Sequence, residues 1–462
     1  MAKIKSNPTI APHKNEYQFM LGYGYYKKKE YAKAKKAFEP VIERSNNYYA
    51  LANYYYGYIA YQNDNYASAI TNFKKIQGDE KFSKIVPVYI TQFYLMQGKY
   101  QEAAQYGKEA LDQKKIGKKD EIRSFIGEAN YHLEQYDQVI KYLEPLAKKD
   151  FNFTSEQHYE LGIALFKDRK FEASLPQLKA LQIQEDTLGQ NSSFHLGMAY
   201  LHTGEKLKAR NSFLFASGFS YDPEIEKRAS FNYAKISYDL NYQKEAIQKL
   251  RAFAKEYPGT NLAKEAQSLL GDILLATQNF KQALKIIEEI PERGEEIKGS
   301  YQKITYQYGL EKFKNKNYKD ARELFIKSIR NAKDPKFKAL AYFWLAESYF
   351  NLQNYSSAYR EYKNFLYVDA SKNTPYHTLG HYNLGYSKFQ EKAYQEALAH
   401  FEDFINVKGK QDDRNTKKYK DGLLRIADCH FALKNYDQAT SYFSKVINQG
   451  GRNVPYALYQ RG

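Results

Sequence analysis

Residues 21–38 read Leu21-Gly22-Tyr23-Gly24-Tyr25-Tyr26-Lys27-Lys28-Lys29-Glu30-Tyr31-Ala32-Lys33-Ala34-Lys35-Lys36-Ala37-Phe38. A small residue, Gly22, is followed twelve positions later by a second, Ala34, with Tyr31 three residues before Ala34 and Phe38 four after it. Small residues let two helices approach closely, and groups four apart share one helix face. The spacing predicts two antiparallel helices joined by a short polar turn. The same pattern returns along the chain, with first small residues at Gly22, Gly57, Thr91, Gly127, Gly162, Gly197, Ala234, Gly271, Gly309, Ala346, Gly385 and Ala427. Intervals start near 35 and lengthen to 37–42 in the second half. Pro258-Gly259, Pro291, Asp334-Pro335, Pro375 and Gly409 punctuate the joins between pairs, since proline cannot continue a helix. No alternating run argues for a sheet.

A chain of 462 residues would ordinarily suggest about three domains, but a repeat array grows by addition and carries no such count. Apolar residues make up 43 % of the sequence, enough for a continuous core. No apolar run is long enough to span a bilayer, and the first ten residues lack the apolar core of a secretory signal. Cys429 is the sole cysteine, so no internal disulfide forms.

The strings Leu21-Gly22-x2-Tyr25…Ala34-x3-Phe38 and Tyr342-x2-Leu345-Ala346-x2-Tyr349…Ala358-x3-Tyr362 resemble the tetratricopeptide repeat family. The resemblance implies an all-α, right-handed superhelix of about twelve helix-turn-helix repeats over residues 15–450. Residues 1–14 read as an N-terminal extension, 15–225 as regular repeats 1–6, and 226–450 as longer, looser repeats 7–12. Residues 451–462 read as the start of a further repeat, since Gly462 falls 35 residues after Ala427. A solenoid needs a polar cap, so the expectation is a piece of a longer protein. Repeats 3 and 6 depart from the pattern, with Thr91 and Gly107 in one and Lys206 replacing the turn aromatic in the other.

By the same resemblance, positions 2, 5, 9, 12 and 13 of each first helix, counting the small residue as 8, face a concave groove. Aromatic residues occupy many of them: Phe19, Tyr23, Tyr26, Tyr54, Tyr58 and Tyr61 in repeats 1 and 2, then Phe231, Tyr238, Tyr306, Phe313, Phe343, Phe350, Tyr382, Tyr386, Phe389 and Phe431. Tyrosine offers broad contact area with one polar tip at small rotamer cost. The reading is a non-enzymatic scaffold holding a peptide or protein partner in an aromatic-lined groove. The rival explanation of these rings is packing between neighbouring repeats. The Lys/Asn clamp by which some family members grip a C-terminal carboxylate is absent, because positions 5 and 9 read Phe19/Tyr23, Tyr54/Tyr58 and Val88/Gln92.

The formal charge of +17 raises nucleic acid as an alternative partner. Only the first 50 residues are densely basic, with 10 basic against 4 acidic groups, and lysine dominates. Lysine favours solvation over the forked phosphate contacts of arginine. An RNA-binding helical repeat using this basic N-terminal surface is therefore the runner-up. No catalytic constellation is legible and no cofactor is implied. His377 and His381 have the i, i+4 spacing of a metal pair but lack a third ligand in sequence. Asp412-Asp413 and Glu295-Glu296 read as solvated turns, and Cys429 as a buried small hydrophobe. Self-association through the last helix is a further expectation. Tyrosine-rich strings such as Tyr54-Tyr55-Tyr56-Gly57-Tyr58-Ile59-Ala60-Tyr61 also resemble long tetratricopeptide-repeat proteins of gram-negative envelopes, implying a periplasmic or envelope location, with the cytoplasm as alternative.

Overall fold

The computed structural model describes residues 13–113, 116–406 and 413–462. The first twelve residues of the expected extension, the Gly409 break and Asp412 lie outside them. The chain divides into two units, Met1–Ile236 and Ser237–Gly462.

In the first unit the helices are α1 (Lys14–Lys27), α2 (Tyr31–Ile42), α3 (Tyr49–Gln62), α4 (Tyr66–Lys74), α5 (Val86–Met96), α6 (Tyr100–Leu111), α7 (Lys119–His132), α8 (Tyr136–Ala147), α9 (Ser155–Lys167), α10 (Phe171–Lys179), α11 (Thr187–His202) and α12 (Lys206–Ala216). Helix α13 (Pro223–Asp239) contains the boundary. The second unit continues with α14 (Gln243–Glu256), α15 (Asn261–Ala276), α16 (Phe280–Glu288), α17 (Glu295–Lys314), α18 (Tyr318–Arg330), α19 (Pro335–Asn351), α20 (Tyr355–Tyr367), α21 (His377–Gln390), α22 (Tyr394–Asn406), α23 (Asp413–Ala432), α24 (Tyr436–Gln449) and α25 (Val454–Arg461). Within each unit consecutive helices pack on one another, and no strand occurs among the described residues.

One contact accounts for the glycine at position 8 in repeats 1, 2 and 11. A Cβ added to Gly22 would stand 2.5 Å from Phe38, to Gly57 2.7 Å from Phe73, and to Gly385 2.7 Å from Phe401. In each case the partner lies sixteen residues on, on the second helix of the same pair, and is fully buried. Repeat 3 keeps the contact with its members exchanged. Thr91 supplies the bulk and Gly107, sixteen residues later, supplies the space, its added Cβ lying 3.3 Å from Thr91 Cγ2. The apparent sequence departure is a swap across one interface.

The turns inside the pairs are equally uniform. Lys29, Asp64, Gly98, Glu134, Arg169, Gly204, Asn241, Gln278, Lys316, Gln353, Lys392 and Lys434 all stand seven residues after the small residue, with φ between 55° and 81°. The next N–H bonds back five residues, as from Glu30 to Tyr25 O (2.9 Å), Asn65 to Ala60 O (2.9 Å) and Asn435 to His430 O (2.9 Å). This left-handed residue with a 6→1 bond closes the first helix and reverses the chain. Asn65, Asn279, Asn317 and Asn354 then cap the second helix through their side chains.

The longer repeats of the second unit put residues into longer first helices, α17 reaching 20 residues. Buried Gln302 ties the join after its repeat, donating to Asp334 O (2.9 Å) and accepting from the N–H groups of Lys333 (2.9 Å) and Asp334 (2.8 Å). Gln267 similarly donates to Glu292 O (2.8 Å) and accepts from Gly294 N–H (2.8 Å). These joins are hydrogen-bonded rather than loose.

Candidate partner-binding surface

The expected groove aromatics separate by position. Position 5 is core. Phe19, Phe231, Tyr306, Phe343 and Tyr382 are all under 10 % exposed, which corrects their assignment as groove-lining residues. The physical reason is the segment joining one pair to the next, which together with the first turn of the following helix covers position 5. Phe19 stacks on Tyr48 at 5.1 Å, Tyr306 meets Phe337 at 5.2 Å, and Phe343 stacks on Tyr376 at 4.5 Å. Tyr54, also at position 5, is half-buried against Phe82 at 4.9 Å. Burial, reinforced by surrounding tyrosines, pushes its hydroxyl up to about 12.

Positions 9 and 12 behave differently. Tyr23, Tyr26, Tyr58, Tyr61, Tyr238, Phe313, Phe350, Tyr386 and Phe389 are half-buried, and Phe431 is 45 % exposed. In the first unit Tyr23 and Tyr26 lie 6.3 Å apart, Tyr26 and Tyr58 6.1 Å, and Tyr58 and Tyr61 6.0 Å. The rings form one continuous row across α1 and α3, with the Lys27 ammonium 5.3 Å from the Tyr23 ring. Packing accounts for part of their burial, because one edge of several of these rings is used by the next repeat.

That use runs through position 6, which the repeat pattern did not single out. Tyr55 packs at 5.2 Å on Tyr23 and 4.9 Å on Tyr26. His195 meets Phe166 at 5.4 Å, and Trp344 meets Phe313 at 5.0 Å. Asn383 donates to Glu347 Oε1 (2.5 Å), and Arg425 lies over Tyr386 (5.6 Å) and Phe389 (5.5 Å). Position 6 of each of these repeats therefore fills the seam against positions 9 and 12 of the preceding one. The available sequence signal was the aromatic run Tyr55, Tyr89, Phe125 at this position.

The last two seams of the second unit, around Glu347 and Asp421, are polar and closed upon themselves. Glu347 accepts from the Tyr362 hydroxyl (2.6 Å) as well as from Asn383, and burial raises its carboxyl. Asp421 accepts from the hydroxyls of Tyr382 (2.6 Å) and Tyr386 (2.8 Å), and from Arg425 (3.3 Å). Arg425 also donates to Asp428 (2.9 Å), whose carboxyl burial pushes up to about 6 against the pull of Arg425. The Lys418 ammonium stands 5.0 Å from the Tyr382 ring, its pKa lowered by burial despite Glu347 and Asp421 nearby. Two tyrosines expected to present to a partner thus have their hydroxyls committed to Asp421.

His377 and His381 meet edge-on at 5.4 Å, and His377 Nδ1 lies 3.1 Å from Ser371 Oγ. Among the described residues no three His, Cys, Asp or Glu side chains stand together as a metal site. Burial pushes the Cys429 thiol up to about 12, so it stays protonated at neutral pH.

The repeated contact between positions sixteen apart and the twelve left-handed turns match the family whose models fit the sequence. Tetratricopeptide repeat models match residues 19–81 and 306–365, and another matches 421–449. These stretches of the chain are tetratricopeptide repeats. Solved structures similar to this repeat chain include YrrB, described as a TPR protein with an unusual peptide-binding site, at 19 % identity over 42 % of this chain and 97 % of that one (TM-score 0.36). A structure of Naa15/Naa10 bound to HypK-THB is similar at 13 % identity over 95 % and 68 % (TM-score 0.36). The TPR domain of P58(IPK) is similar at 13 % identity over 91 % and 98 % (TM-score 0.24). No curated protein matches the sequence. No described helix of this repeat protein is long and apolar enough to cross a membrane.

Proposed function

We propose that this tetratricopeptide repeat protein is a non-enzymatic scaffold that holds an extended peptide or helix of a protein partner along the half-exposed aromatic row of its first helices. The observation that carries the reading is the Tyr23–Tyr26–Tyr58–Tyr61 row, whose rings touch in sequence yet remain partly open. Such an exposed aromatic strip on a rigid helical face marks an interaction surface. Replacing Tyr23 and Tyr58 by Ala weakens partner capture from native extract while leaving helical circular dichroism intact. Capture unchanged by both substitutions refutes the aromatic row as the binding surface.

The envelope location rests on the resemblance of the tyrosine-rich repeats alone and is tested by fractionating the source cells. Nucleic acid is the second reading. Most lysines near the N-terminus that are described, such as Lys28, Lys29, Lys33 and Lys36, are exposed, while Lys27 lies over the Tyr23 ring. An RNA partner would give an affinity that falls steeply with salt, about one unit of log–log slope per phosphate contact, whereas an aromatic surface gives a shallow slope. Light scattering across a dilution series tests self-association.

A further inference from the structure

Along the first unit, position 6 carries Tyr55, Tyr89, Phe125 and His195 in repeats 2, 3, 4 and 6, but Glu160 in repeat 5. Glu160 is only 4 % exposed, and its Oε2 has no hydrogen-bond partner. It sits in the seam against Glu128 and Tyr131, positions 9 and 12 of repeat 4. Glu156 stands one turn earlier on α9, on the same face. Tyr131 and Tyr159 meet edge-to-face at 6.2 Å and hold α7 and α9 side by side at this seam. The carboxyls are graded from exposed Glu156 through half-exposed Glu128 to buried Glu160.

No side-chain hydrogen bond or ion pair reaches any of the three among the described residues. The cations Lys167 and Arg228 act on His195 in the next seam instead. Polar seams of the second unit are built differently. Glu347 has Tyr362 and Asn383, and Asp421 has Tyr382, Tyr386 and Arg425. A buried acid without a partner is costly and uncommon, and here it faces two more acids. Burial and the charges of Glu128 and Glu156 push the Glu160 carboxyl up to about 9. The local charge balance is also reversed. In a chain of formal charge +17, residues 119–180 hold 11 acidic against 9 basic groups.

We infer that the Glu128–Glu156–Glu160 seam, flanked by the Tyr131 and Tyr159 rings, receives one cationic side chain, lysine or arginine, from the peptide that the scaffold holds. The inference rests on the scaffold reading above. An ammonium or guanidinium supplies the donors that Glu160 lacks, neutralises two like charges, and can lie against tyrosine faces. The occupant is a basic peptide, because the seam holds three carboxyls and no cation that would attract an anionic partner.

The test is selection of a random nonapeptide library on the wild-type protein and on Glu128→Gln/Glu160→Gln. The wild type is expected to enrich peptides with Lys or Arg at one fixed register, and the double variant to lose that enrichment while still selecting aromatic-binding peptides. A wild-type-selected peptide should bind the double variant at least tenfold more weakly, and its version with Ala at the cationic position should bind both proteins equally. Selection of peptides by the wild type without a Lys or Arg preference overturns this inference and leaves the scaffold reading standing. Selection of no peptide at all removes the scaffold reading, and this inference with it. Glu134→Gln/Glu172→Gln, which removes two charges from the same repeats outside the seam, should leave affinity within about twofold. An equal loss there shows diffuse attraction and overturns the assignment of a seam receptor.

Discussion

Glu160→Gln should stabilise the first unit, and the gain should grow with pH. The wild-type carboxyl moves from an ordinary 4.5 to about 9, chiefly because burial disfavours its charge, with Glu128 and Glu156 adding to the effect. Below pH 4.5 the side chain is protonated in both folded and unfolded chains and contributes no difference. Between 4.5 and 9 the folded protein holds a proton that the unfolded chain has released, so stability falls as pH rises, by about 1.4 kcal/mol per unit. The linkage gives a cost of about 1 kcal/mol at pH 5, about 3 kcal/mol at pH 7 and about 5 kcal/mol at pH 8. Glutamine keeps the shape and carries no titratable proton. The assay is urea unfolding followed by circular dichroism at pH 5, 7 and 8, with hydrogen exchange localised to α7 and α9. Comparison of variant with wild type cancels the titration of every group that does not interact with Glu160. A stability difference that stays constant from pH 5 to pH 8 would refute the placement of an unpartnered carboxyl in this seam.

Gly127→Ala should destabilise by about 1–3 kcal/mol, because the new Cβ meets Leu143 across the closest approach of α7 and α8 and must displace it. Thermal unfolding reads the loss, and a neutral result would show that the pair can spread without cost. Lys29→Gly, at φ 59° in a solvent-facing turn, should stabilise by up to about 1 kcal/mol by relieving the left-handed conformation, seen as a raised urea midpoint. Phe343→Ala should cost about 3–5 kcal/mol as a buried ring. Tyr23→Ala, half-exposed, should cost clearly less, and similar losses for the two would contradict the separation of position 5 from position 9.

Much of the architecture was legible because its determinants are local or periodic. A small residue, a turn and a bulky residue sixteen positions on recur at fixed spacing, so Gly22 and Phe38 announce their contact without knowledge of any other repeat. The thread of polar residues between them announces the turn. Partner-facing residues were less legible. Position 5 looked like groove in the helical pattern, yet Tyr48 and Tyr376 in the joining segments and Phe337 in the first turn of the next helix cover it. Those covers are set by where each joining segment folds.

The sequence by itself determined the repeat, its length, its turns and the aromatic wealth of its first helices, since these depend on spacings within about forty residues. Tertiary structure decided which aromatics remain open. Position 6 of one repeat presses on positions 9 and 12 of the one before, so each ring's exposure depends on a residue roughly 30 positions away, as with Tyr26 and Tyr55. The same geometry brings Glu160 beside Glu128 and leaves it without a partner. In the sequence both are ordinary glutamates on amphipathic helices. Only the packing of α9 on α7 removes one of them from water and leaves its carboxyl without a partner.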